Sequence, residues 1–226
     1  MSTSIARNLR CQWRPLAISL IAAAAMTGFL CLCALLCAPV NAIGLVVAGC
    51  FGPFVAASWL LMGIGFSLNF YTQYAFLYLM LGTTRAGVFA ARQLSTLCYC
   101  GVGALVTAAG VWVNGLWTAG VGDAAIAFFA GLFLLCQLTE LCGLLAYRYG
   151  KWGMIFYGLG IFLLCGISGS FITMLVAGDH PVTGIQELFL WTARLPLIAA
   201  GGVMLAGGVI IAAMSWFFFR RAQVKV

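Results

Sequence analysis

Charge is what this chain has least of. Only 7% of its 226 residues are charged, and the acidic ones are Asp123, Glu140, Asp179 and Glu187. A soluble domain carries about 25% charged residues, so water is excluded as the main solvent. A single histidine, His180, has no second His or Cys nearby, which leaves no metal-ligand spacing around it. The ten cysteines form no CxxC pair. Cys31 with Cys33, and Cys98 with Cys100, point to different faces of a helix and cannot ligate jointly from one. No Walker A sequence (G-x-x-x-x-G-K-[ST]) occurs, so this chain has no P-loop for ATP. The apolar runs do not alternate as barrel strands of about 10 residues do.

What is present is apolar: 65% of residues are hydrophobic types. In hydrocarbon every backbone polar group must be satisfied internally, which leaves helices once barrels are set aside. The reading is an all-α polytopic membrane protein. Six runs are long enough to cross about 30 Å of hydrocarbon, which takes about 20 helical residues. They are residues 15–37, 42–68, 94–117, 124–147, 152–177 and 196–219. The basic, then apolar start resembles a signal peptide, but the run exceeds the usual 7–15 residues and reads as a retained first span.

The basic residues set the orientation. Arg7, Arg10 and Arg14 precede the first run, Arg85 and Arg92 lie between the second and third, Arg148 and Lys151 between the fourth and fifth, and Arg220, Arg221 and Lys225 after the sixth. Six spans bring all of these to one side, while the opposite loops hold Asp123, Asp179, Glu187 and Arg194. Both termini are therefore expected in the cytoplasm. The net charge of +7 sits at the ends of apolar runs, where it suits anionic lipid rather than nucleic acid.

Residues 69–93 are expected to be an interfacial or coupling segment. Within them 69–82 is aromatic but too short to span, and Tyr71, Tyr74 and Tyr78 share one helical face, which predicts a short helix at the cytoplasmic surface. The alternative is a long, tilted second helix. The loop 178–195 holds a second candidate interfacial helix with Trp191 at headgroup depth. Many of the 28 glycines lie inside the runs and permit close helix packing.

Two constellations are candidates for chemistry. Glu140 is the one carboxylate placed well inside the membrane, with Gln137 a turn before it. Such residues face a cavity or a partner, so the pair is read either as a translocation or gating contact or as a packing carboxyl. Gly166-Ile167-Ser168-Gly169 matches the motif around the serine of rhomboid intramembrane proteases. That chemistry needs a base within hydrogen-bond reach, and the last span has no histidine. The alternative there is a small-residue packing notch. His180 and Arg194 read as loop residues, Pro53 as a kink and Pro196 as a helix start.

Three stretches in order resemble one family. Gly82-Thr83-Thr84-Arg85-Ala86-Gly87-Val88-Phe89 resembles the segment between the second and third helices of ABC-2-like permeases. Leu144 to Gly153, with Tyr147-Arg148-Tyr149-Gly150-Lys151, resembles the turn after their fourth helix. Ser215 to Val224 resembles their last helix and basic tail. The resemblance implies a multi-pass permease subunit of a bacterial plasma-membrane ABC transporter, by analogy an exporter. It implies pairing with a second permease copy or homologue and with separate ATPase subunits that bind ATP and Mg²⁺, no cofactor in this chain, and no enzymatic activity of its own. The candidates for coupling to the ATPase are then Arg10, Arg14, Gly82, Thr84, Arg85, Phe89 and Arg92. A non-transporting scaffold or accessory subunit is the alternative class.

Overall fold

The structure, a computed structural model, describes residues 2–37, 55, 57–68, 70–80, 82–113, 121–150, 152–153, 155, 158 and 196–221. Among them the chain is helical and forms no strand. Helix α1 is Ser2–Cys37, and α2 is Ala57–Leu68. A π-helical turn, Phe70–Tyr74, leads into α3, Ala75–Met80. Then come α4, Arg85–Val113, α5, Val121–Tyr149, and α6, Leu197–Arg221. Among the described residues three segments are, by length and composition, able to cross a membrane: Ala6–Cys33, Ala125–Tyr149 and Ile198–Arg221. The chain is a membrane protein of helical type. The expected fifth span, the external connections, the Gly166–Gly169 motif, His180, Glu187 and Arg194 lie outside the described residues, as does most of the second span before α2.

α1 begins well before Pro15, where the first span was expected to start. Pro15 has no N–H to give the carbonyl four residues back. That carbonyl belongs to Cys11, and the Tyr78 hydroxyl donates to it at 3.3 Å. A tertiary hydrogen bond thus replaces the helical one that proline removes, and the helix runs on. Burial pushes the Tyr78 phenol up to about 12.

The punctuation around α4 is local chemistry. Gly82 has φ of 74°, its N–H donates to Leu79 O (3.1 Å) and the Thr83 N–H donates to Tyr78 O (3.4 Å). This pair of bonds is a Schellman stop, which favours glycine because a Cβ is strained at that φ. Thr84 then caps α4: its hydroxyl accepts the Gly87 N–H at 3.2 Å. Gly150, with φ of 61°, ends α5 by donating to Ala146 O at 2.9 Å. Two of the family-like stretches are therefore helix stops and starts.

Contacts give the helix directions. Arg92 meets Glu140 while Gly103 lies against Leu132, so α4 and α5 are antiparallel. Trp59 meets Tyr99 while Phe66 meets Arg92, so α2 and α4 are antiparallel. Gly201 lies against Ala127, Gly208 against Phe133, and Phe218 against Arg148, so α5 and α6 run parallel. The start of α4 and the ends of α2, α5 and α6 consequently share one end of the bundle, and the first turns of α1 join them through Cys11 and Gln12.

Two apolar clusters hold this arrangement. One packs Trp59, Phe66, Tyr99, Leu132, Phe133 and Cys136 between α2, α4 and α5. The other, at the cationic end, gathers Phe70, Tyr71, Tyr78, Val88, Leu144 and Phe219. The tyrosines expected at the lipid surface are thus drawn inward: Tyr71 and Tyr78 are buried. Phe219, Leu144 and Val88 offer them a surface that the sequence alone does not reveal.

Candidate functional site

Inside this frame one turn of α4 carries Arg92, Gln93 and Thr96, and one turn of α5 carries Gln137 and Glu140. Spacings of three and four residues put each set on a single helix face, and the antiparallel packing turns the two faces together. Arg92 Nε donates to Glu140 Oε1 at 2.8 Å, with the side chains 1% and 0% exposed. This is the one salt bridge among the described residues. The Thr96 hydroxyl donates to the same oxygen at 2.7 Å, and Gln93 Nε2 donates to Oε2 at 3.2 Å.

The network continues on both sides. The amides of Gln93 and Gln137 donate to each other's oxygens, at 3.3 Å and 2.7 Å. From α2, Phe66 O and Ser67 Oγ accept from Arg92 Nη2 at 3.3 and 3.1 Å. The Phe66 and Phe70 rings lie against the guanidinium, with centroids 3.9 and 4.8 Å from Cζ. Such cation–π contacts gain strength when desolvated. A turn further along, Cys100 and Cys136 are buried in the same apolar cluster across this helix pair. The Tyr71 hydroxyl is buried and finds no partner among the described residues.

Burying a charge in hydrocarbon is expensive unless it is paired and hydrogen-bonded. Here the cation and the anion cancel, and each also has hydrogen bonds. The result is a neutral polar latch that ties α2, α4 and α5 together within an apolar bundle. Removing either partner leaves the other stranded.

The candidates assigned from sequence separate into two places. Gln137 and Glu140 meet in the latch, as their spacing suggests. Arg92 is there too, inside the bundle, although the sequence placed it with the coupling surface. Gly82 and Thr84 are exposed at the cationic end. Arg85 is half-buried, and its Nη1 donates to Arg220 O at 2.7 Å and Phe219 O at 3.5 Å, capping the end of α6. Phe89 packs on Trp216 of α6, with ring centroids 5.2 Å apart. Arg10 and Arg14 are exposed on α1. Sequence reasoning missed Ser67, Gln93 and Thr96. For Gln93 and Thr96 the signal was available, as polar residues one turn apart at the start of an apolar run.

Comparison with protein-family models, with curated proteins and with solved structures finds no match for this chain.

Proposed function

We propose that this chain is the permease subunit of an ATP-driven, ABC-2-like transporter. In this reading it has six spans and cytoplasmic termini, resides in a bacterial plasma membrane, and works beside a second permease copy and a separate ATPase. One observation carries the proposal. The first turns of α4 begin at the exposed Thr84 cap, beside the half-buried Arg85, and end at Arg92, which grips Glu140 on α5. A push on that cap reaches the latch through a single rigid helix, and the latch ties the helices that any path between them must part. Such coupling needs an element with two arrangements whose balance the ligands bias.

The parallel packing of α5 and α6 supports an odd number of crossings between them, which is where the sequence has its fifth apolar run. The clustering of Arg7, Arg10, Arg14, Arg85, Arg148, Arg220 and Arg221 toward one end supports that end as cytoplasmic. ATP and Mg²⁺ belong to the partner, and export follows from the resemblance alone.

The experiment is affinity purification of the full chain from its native membrane, followed by ATPase assay of the complex in liposomes. The expected result is a copurifying Walker A protein whose activity loses its dependence on the permease when Thr84, Arg85 and Phe89 are replaced by alanine. Absence of such a partner, or unchanged coupling in those variants, refutes the proposal.

The sealed state of the latch favours one second reading, a non-transporting accessory subunit in which Arg92 and Glu140 only hold the helices together. It predicts a copurifying partner whose ATPase rate no solute changes.

A further inference from the structure

α1 is longer than a bilayer requires. Its 36 residues reach about 54 Å at 1.5 Å per residue, against about 30 Å of hydrocarbon and about 40–45 Å with headgroups. The excess lies at its N-terminal end. There Asn8, Gln12 and Leu16 are buried against the bundle, and Arg7, Arg10 and Arg14 are exposed.

The direction of that exposed face is decisive. Further along, α1 exposes Ile18, Ile21, Phe29, Leu32 and Leu36, the stripe that faces lipid in a membrane protein. Arg14 stands one turn before Ile18 and two before Ile21, and Arg7 stands two turns before Arg14. Residues seven apart drift by only about 20° around a helix. The arginines therefore continue the lipid-facing stripe outward. Trp13, 64% exposed, flanks them with the ring chemistry that favours the membrane interface. No carboxylate pairs with them among the described residues, since Glu140 is bonded to Arg92.

We infer that Arg7, Arg10 and Arg14, with Trp13, form a binding site for the headgroups of anionic phospholipids in the leaflet around α1. Arg14 and Arg10 stand within about 12 Å of Ile18 along the axis, at headgroup depth, with Arg7 a turn beyond. Guanidinium groups take phosphate oxygens two at a time. The face also separates lipid from protein as the occupant: a partner docking from the cytoplasm approaches along the bundle axis, whereas these groups point sideways over the lipid. Arg10 and Arg14 thereby leave the coupling surface, and the inference holds whether or not an ATPase partner exists.

The test uses the delipidated full chain, offered equal phosphatidylglycerol and phosphatidylcholine, with retained lipid read by native mass spectrometry. The wild type should retain phosphatidylglycerol preferentially, and less so as salt is raised. R7Q/R10Q/R14Q should lose about tenfold of that preference, whereas R220Q/R221Q should keep it. R7K/R10K/R14K preserves the charge that orients the helix, and should retain part of the preference if the Gln variant is poorly assembled. Equal retention of both lipids by the wild type, or an unchanged preference in R7Q/R10Q/R14Q, overturns the site. So does ready Cys11–Cys11 crosslinking between copies in the bilayer, because Cys11 is exposed on the same face and such a link makes that face a self-interface.

Discussion

Arg92 and Glu140 lie 48 residues apart in sequence and meet through an Nε–Oε1 hydrogen bond of 2.8 Å with essentially no exposure of either side chain. The contact joins the start of α4 to the C-terminal half of α5. Its energetic character is asymmetric: the intact pair adds little over an apolar replacement, but a broken pair is costly.

That asymmetry is measurable. Arg92→Met and Glu140→Leu are each expected to destabilise the bundle by about 3 kcal/mol or more. Arg92→Met/Glu140→Leu should recover much of the loss, because no unpaired charge remains. Thermal unfolding in detergent checks it. Additive losses in the double variant would show that the two groups act separately.

A second prediction concerns helix approach. A Cβ at Gly208 would come within 2.7 Å of the Phe133 ring, whereas Gly202 has nothing within 4 Å. Gly208→Ala should therefore cost about 1–3 kcal/mol through overpacking. Gly202→Ala should be neutral or stabilise by up to about 1 kcal/mol, the helix-propensity difference. Equal melting temperatures for the two variants would argue against the α5–α6 contact.

The capping role of Arg85 has a local readout. Replacing it with alanine frees the Phe219 and Arg220 carbonyls and removes about 0.5–1.5 kcal/mol of local stability. Hydrogen exchange should quicken in the last turns of α6 and stay unchanged in the middle of α5. Uniform acceleration throughout would point to global destabilisation instead.

The proposed cytoplasmic placement of the shared end of the bundle has a direct test. In a cysteine-free background, Thr84→Cys at the start of α4 should react with impermeant thiol reagents only in inside-out vesicles. Gly122→Cys, in the first turn of α5 and exposed, should react from outside intact cells. Labelling of both positions from the same side would break the parity of the helices.

Much of this was legible in the chain. The all-helical membrane class follows from run length and the scarcity of charge, because hydrocarbon admits only backbones that satisfy themselves. Gly82, Thr84 and Gly150 mark their helix ends through their own φ preference or hydroxyl, which needs no distant partner. Glu140 stood out because a lone carboxylate in an apolar run needs compensation.

Other features depended on what lies across a helix interface. The first span was read as starting at Pro15, but the Tyr78 hydroxyl covers the carbonyl that the proline leaves free, and the helix passes through. Arg92 looked like a surface cation until the antiparallel packing of α4 on α5 set Glu140 beside it and the Phe66 ring against its guanidinium. Periodicity along one strand of sequence records which face of a helix is polar. Which residues that face meets is a long-range choice, settled by how the apolar and small residues of neighbouring helices fit, and only the tertiary structure makes it.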